Sequence, residues 1–359
     1  MSNETRFSSA KPSVSVVVPV YNGGESFRRC LSSLGAAVPP PQEIIVVADG
    51  DTDGSARLAA EFGAQVVRIP GPSGPARARN VGAYVARGDV LFFVDADVTV
   101  PTDAIRQVMA AFAQGPDLAA VFGSYDDEPA ATNFLSQYKN LFHHYVHQTA
   151  REDAWTLWGA CGAVRREVFL RLGGFDERYR WPSVEDIELG YRLKQAGEGI
   201  RLCKVLQVKH LKRWGVRSLL EADFCHRALP WTRLILQSRH LPNDLNLQFS
   251  SRVSVLLTYG LLLAGLSAWW WPYVLVPAVM MAALLVVLNV EVYRFFWRKR
   301  GLWFTLQVIP WHWLYYFYGG LAFAAGVTSF LLRRRGTVKA GPVALVEGRP
   351  PSKAHSEGR

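Results

Sequence analysis

Apolar residues come in short runs early in the chain and in long ones towards its end. Ser13-Val-Ser-Val-Val-Val-Pro-Val-Tyr-Asn22, Glu43-Ile-Ile-Val-Val-Ala48, Gln65 to Ile69 and Val90 to Val94 read as strands. Between them, Phe27, Cys30, Leu31 and Leu34 share one face of a helix from Glu25 to about Leu34. Further helical stretches cover Ala56 to Phe62 and Ala78 to Ala86, the second entered through the loop Gly71-Pro-Ser-Gly-Pro75. Strands alternating with helices at this spacing predict an α/β fold with a doubly wound, mostly parallel sheet.

The later pattern differs. Asn133 to Ala150 reads as an aromatic amphipathic helix, and Ile187, Leu189, Tyr191 and Leu193 mark another that begins at Asp186. Trp155 to Gly162, rich in Trp, Gly and Ala, suits the floor of a pocket. From Trp214 to His240 apolar residues mix with Arg217, Arg227, Arg233 and Arg239, as in helices lying in a head-group layer or packed on a soluble domain. Val253 to Trp270 and Tyr273 to about Val290 read as membrane spans, the first closed by Trp269-Trp-Trp271. A third apolar stretch, from about Trp303 to Leu332, is broken by Pro310 and either spans or re-enters. The expected division is a flexible terminus (1–12), a catalytic domain (13–215), interfacial helices (216–250), about three transmembrane helices (251–332) and a basic, disordered tail (333–359).

Charge sharpens this division. Of the formal net charge of +10, most belongs to Arg252–Arg359, with 12 Lys and Arg against 3 Asp and Glu, beside the apolar segments where it suits anionic lipids. No basic motif interleaves with the soluble part, which argues against a nucleic acid polymer as partner. Cys30, Cys161, Cys203 and Cys225 form no C-x-x-C pair, as expected of thiols in a reducing compartment. The polar start, Met1 to Lys11, lacks a signal-peptide pattern, so the soluble part is expected on the side where it is made.

Candidate chemistry lies at strand exits. Asp95 and Asp97, one residue apart beyond the Val90–Val94 run, could share a divalent cation or simply form a polar exit. Asp186 suits either helix capping or proton abstraction. His143 and His147 have the i, i+4 spacing of zinc ligands but no third ligand nearby in sequence.

Val17-Val-Pro-Val-Tyr-Asn22, Asp49-Gly-Asp-Thr-Asp-Gly-Ser55, Ala78-Arg-Asn-Val-Gly82, Val94-Asp-Ala-Asp97, Gly173-Gly-Phe-Asp-Glu177 and Glu185-Asp186 follow one another in order and spacing. Together they resemble the GT-A glycosyltransferases of family 2, over roughly residues 13–215. The resemblance implies transfer of a sugar from a UDP- or GDP-linked donor with inversion, aided by Mg²⁺ or Mn²⁺. It places Pro19, Tyr21, Asn22 and Asp49 along the nucleoside, and Arg79 and Asn80 towards the diphosphate. Asp95 would face ribose and metal, Asp97 would bind the metal, Asp186 would be the base, and Glu185 would support it. Ala48 stands where the family usually has another Asp, so the base stays open between uracil and guanine. His210, in His-x-x-Arg-Trp, holds the position of a Gln in processive synthases, and of a metal-binding His in other relatives. It reads as a metal ligand or diphosphate contact, with Arg213 and Trp214 lining the site; an interfacial His is the alternative. With the membrane segments, this implies a lipid or polyprenyl acceptor at the cytoplasmic face of the inner (plasma) membrane. The alternatives are a polysaccharide synthase subunit, an inactive scaffold that retains the fold, and a nucleotidyltransferase. The last would want a basic loop after the first strand, which Asn22-Gly-Gly-Glu25 does not supply.

Overall fold

The structure is a computed structural model and describes residues 12–337, with side chains to Leu332. The expectations for the terminus and for the end of the tail lie outside the described residues. Eight strands form one sheet: β1 (Val14–Val20), β2 (Glu43–Asp49), β3 (Gln65–Ile69), β4 (Val90–Val94), β5 (Val98–Thr99), β6 (Leu118–Tyr125), β7 (Cys161–Arg165) and β8 (Gly199–His210). Their order is β3-β2-β1-β4-β7-β6-β8-β5. β1, β2, β3 and β4 run parallel, so their carboxyl ends share one edge. The sheet is mixed further on, because β7 is antiparallel to both β4 and β6.

The helices are α1 (Gly24–Gly35), α2 (Ser55–Glu61), α3 (Pro75–Val85), α4 (Ala104–Gln114), α5 (Phe134–Thr149), α6 (Arg166–Arg171), α7 (Glu185–Gln195), α8 (Val216–Glu221), α9 (Leu229–Ser238), α10 (Phe249–Ser267), α11 (Leu275–Leu288) and α12 (Val290–Thr337). A π-helical segment, Ala222–Ala228, joins α8 to α9. The central strands are apolar on both faces because both are covered: Val16, Val18, Phe92 and Val94 pack on the side of α1 and α4, and Val17, Leu91 and Phe93 on that of α3 and α7. Gly82 lets α3 approach closely, since a Cβ there would stand 2.4 Å from Val17 Cγ1.

Beyond the sheet, α9 rests on the catalytic domain through Trp231 and Leu234 against Val184 and Tyr191. α10 and α11 pack on one another. Two helices, Phe249–Ser267 and Val290–Leu332, are long and apolar enough to cross a membrane; Pro272–Leu288 is apolar but shorter. Gly301 (φ 81°, ψ 174°) breaks the second of these just after the basic stretch Arg298-Lys-Arg300. That helix docks on α5: Tyr138 and Leu141 pack with Val292, Tyr293 and Phe296. Lys299 pairs with Asp127, and Arg300 Nε donates to Gln137 Oε1 at 2.8 Å.

Candidate active site

The parallel strands deliver Pro19, Tyr21, Asn22, Asp49, Asp95 and Asp97 to the shared edge. Pro19 lies past the last β1–β4 pair, Val17–Phe93, where a residue without an N–H is tolerated. Tyr21 is exposed. Asn22, at φ 50°, accepts the Thr52 N–H on Oδ1 at 2.8 Å and so ties the ends of β1 and β2 together. Asp49 is buried, and its carboxylate accepts the N–H groups of Ser73 (2.8 and 2.9 Å) and Gly74 (2.8 Å). In this structure it therefore holds the loop before α3. Gly74 takes φ 98°, and a Cβ there would strike Arg180 O at 2.3 Å, so the loop is seated against the segment leading to α7.

Arg79 is the centre of the carboxylate cluster. Buried on α3, it donates to Asp95 Oδ1 and to Glu185 Oε1, each at 2.7 Å. The sequence pointed this guanidinium at a diphosphate; here two of its nitrogens are taken by carboxylates, and it positions them. Asn80 behaves similarly. Its Nδ2 donates to Phe175 O (2.9 Å) and Glu177 Oε1 (3.0 Å), and its Oδ1 accepts the Phe175 N–H (2.8 Å). It locks the Gly173–Glu177 turn to α3.

Asp186 begins α7 at the cluster's edge. Its Oδ2 accepts the Gly159 N–H at 2.8 Å and its Oδ1 the Ile187 N–H at 2.7 Å. A side chain at 159 would crowd it, since a Cβ there would stand 3.3 Å from both Arg79 Cζ and Asp186 Cβ. Burial, and then the Glu185 charge, push its carboxyl up to about 6. Capping geometry and a base-like pKa thus coincide in one residue. Burial also raises Asp95, against the pull of Arg79. Asp97 is held below the usual carboxylate range, since the His210 and Lys212 charges outweigh its burial.

His210 ends β8 opposite Val98, and its Nε2 lies 3.5 Å from Asp97 Oδ2. Its Nδ1 is 2.8 Å from Asn140 Oδ1, a contact in which Nδ1 donates and which turns the opposite ring nitrogen, Nε2, towards Asp97. The ring stacks on Tyr125 at 4.5 Å. Trp214 is buried with Leu135 and Leu219, its ring centroid 6.2 Å from that of His210, while Arg213 is exposed. Among the described residues no three His, Cys, Asp or Glu side chains form a metal cage. Asp97 with His210 nevertheless suits a cation whose remaining positions are filled by substrate phosphates and water. His143 and His147 do not converge on a third ligand. Their rings lie 4.0 Å apart beside Trp158, and His147 Nδ1 hydrogen-bonds Gly123 O at 3.1 Å.

Sequence reasoning missed Asn140, Tyr125 and Lys139, whereas Gly159 belongs to the Trp155–Gly162 stretch expected at a pocket floor. Only Asn140 gave a signal, as a polar residue inside a helix read as aromatic. A cavity of about 660 Å³ opens beside Asp186. Its walls include Trp158, Trp231 and, from the apolar helices, Leu256, Tyr259 and Phe323.

Residues 15–173 match the family model described as Glycosyl transferase family 2. The chain is 29% identical over 215 residues to the pre-mycofactocin glycosyltransferase of Mycobacterium tuberculosis, covering 57% of this chain and 44% of that protein. It is 30% identical over 196 residues to the succinoglycan biosynthesis protein ExoA of Rhizobium meliloti, covering 51% and 58%. It thus spans about half the length of the curated relatives it matches. The mannosyltransferase PcManGT of Pyrobaculum calidifontis, solved with GDP-Man and Mn²⁺, aligns over 88% of this chain and 87% of its own, with a TM-score of 0.52 and 16% identity. That likeness supports the GT-A fold.

Proposed function

Because residues 15–173 belong to glycosyl transferase family 2, we propose that this chain moves a sugar from a UDP- or GDP-linked donor to a lipid acceptor at a membrane surface. The observation that carries the lipid acceptor is the cavity, which joins the Asp186 carboxylate to the walls of α10 and α12. A hydrophobic acceptor can reach the base from the bilayer while a soluble donor occupies the strand ends.

Each residue then has a task. Tyr21 and Asn22 lie along the nucleoside, and Asp49 keeps the loop before α3 closed beside it. Trp158 offers a sugar-stacking face. Asp97 and His210, with Asp95 adjacent, would hold Mg²⁺ or Mn²⁺. Held there, it would supply neutralisation of the charge that develops on the departing diphosphate. Asp186 takes the proton of the acceptor oxygen, which attacks C1 from the face opposite the leaving group, so the anomeric centre inverts. Glu185, fixed on Arg79 and by the Ser183 N–H at 2.9 Å, keeps α7 in register with Asp95.

In this reading the α10–α11 hairpin enters the bilayer and α12 lies along the catalytic domain, which faces the cytoplasm. The test is nucleoside diphosphate release by the purified full chain. It is offered UDP- and GDP-sugars with Mn²⁺ or Mg²⁺ and a membrane lipid extract, beside Asp97→Ala and Asp186→Asn. Turnover with one donor that needs metal and lipid, and is lost in both variants, is expected. No turnover with any donor, together with no metal-dependent nucleotide binding, would leave the inactive scaffold as the better reading.

A further inference from the structure

The wall of the cavity carries a charge that the transfer chemistry above does not use. Lys139 of α5 pairs with Asp223 of the π-helical segment, and Tyr318 of α12 donates to the other oxygen of that carboxylate at 2.7 Å. Arg227, one turn on, approaches the same carboxylate only at 3.7 Å. All four residues line the cavity, whose wall is otherwise mostly apolar. Two cations thus share one carboxylate already filled by Lys139 and Tyr318, leaving a positive charge in excess. Burial, together with the nearby Arg227 charge, pulls the Lys139 ammonium below its ordinary range despite Asp223 beside it. Nor is this arrangement remote from Asp186: Ser183 Oγ donates to His226 O at 2.7 Å, which fastens the segment bearing Arg227 to the start of α7.

We propose that Arg227, with Lys139, binds the phosphate of an anionic lipid acceptor inside this cavity, which deepens and rests on the lipid-acceptor reading above. The phosphate supplies the missing negative charge, the forked guanidinium can grip two of its oxygens, and the acyl or prenyl chain lies between α10 and α12. With the headgroup held there, the acceptor oxygen forms its bond to C1 of the sugar as the bond from C1 to the donor phosphate oxygen breaks. The electron pair departs on the nucleoside diphosphate. A proton carried by the attacking oxygen goes to Asp186.

The experiment is calorimetric binding to the full chain in detergent. The probes are a short-chain prenyl phosphate, the matching prenol, a short-chain phosphatidylinositol and inorganic phosphate. A phosphate-bearing lipid should bind roughly ten- to hundred-fold more tightly than prenol, the range of a hydrogen bond to a charged group. Arg227→Gln should erase that preference and Arg227→Lys keep part of it. Whichever of the two lipids binds more tightly identifies the source of the phosphate, while inorganic phosphate binding as well as either lipid would overturn the acceptor site. Equal binding of prenol and the phosphate lipids, or no binding of any, would also overturn it. Donor turnover in the same samples separates the two readings. Turnover without headgroup preference removes this site alone, whereas headgroup preference without turnover on any acceptor removes the transferase reading and leaves the site standing.

Discussion

At the scale of the residue, Asp186 owes its protonation, and His210 the orientation of its ring, to neighbours. Asp186 is pushed up to about 6 by burial and by Glu185. Because a base must be ionised, kcat/KM should rise with pH through about 6 and then level off, rather than rising near the ordinary carboxylate value. A profile in which that limb persists in Asp186→Asn would show that another group titrates. Removing the base should lower kcat by about 10²–10⁴-fold while nucleotide binding survives. Asn140 acts one step further back, fixing which nitrogen of His210 faces Asp97. Asn140→Leu should weaken Mn²⁺ binding in the presence of nucleoside diphosphate by roughly 10–100-fold, measured by calorimetry or electron paramagnetic resonance. Unchanged affinity would place His210 outside the cation's reach. Asp95, Asp97 and Asp186 were legible because strand exits and helix starts are local patterns. Asn140 lies 70 positions from the ring it holds, and no local pattern carries that pairing.

At the scale of the element, α5 is more than the aromatic amphipathic helix of its sequence. Phe134, Tyr138, Phe142 and Tyr145 pack on the helices of the C-terminal region. Its polar stripe turns towards the sheet instead of water. Ser136 accepts the Trp214 N–H (2.7 Å), Asn140 meets His210 (2.8 Å), and His144 and His147 reach Tyr125 O (2.8 Å) and Gly123 O (3.1 Å). Polar side chains there satisfy backbone groups at the irregular β6–β8 junction, which apolar ones would leave unpaired. The α3–α7 junction follows the same logic with charge. Arg79→Met would leave Asp95 and the buried Glu185 facing each other with no cation between them, at a cost of about 3 kcal/mol or more. For a domain of this size that lowers the unfolding temperature by roughly 6–12 °C. A variant as stable as the parent, followed by circular dichroism, would mean that the pair contributes nothing to holding α7.

At the scale of the molecule, the path of α12 along the catalytic domain supports the two-crossing topology proposed above. Phe304 packs on Phe134, His312 on Phe142, Tyr318 bonds Asp223, and a Cβ on Gly326 would stand 2.7 Å from Thr232 Cγ2. From Phe304 to Gly326 a helix advances about 33 Å at 1.5 Å per residue, roughly the thickness of the hydrocarbon core. Over that length α12 keeps touching α5, the π-helical segment and α9, all carried by the catalytic domain. A segment so placed lies along the domain, with Leu306 turned outward and Leu321 and Phe323 lining the cavity. Three crossings would strand Arg333-Arg-Arg335 opposite the catalytic domain; two keep every basic cluster on one side. A fluorescent reporter fused after Arg359 should therefore glow in the cytoplasm, and a phosphatase fused there should stay inactive. An active phosphatase would mean that α12 crosses.

The sequence alone determined the alternation of strands and helices, the carboxylates at the strand exits and the apolar C-terminal third. Each depends on neighbours in the chain: periodicity, turn chemistry and local composition. Tertiary structure alone decided that Arg79 binds Glu185 across 106 positions, that Asp49 closes on a loop, and that the polar stripe of α5 faces inward. It also decided that α12 follows the domain, because a long apolar helix is equally stable in lipid or against apolar protein. Only the partner offered by the fold separates the two.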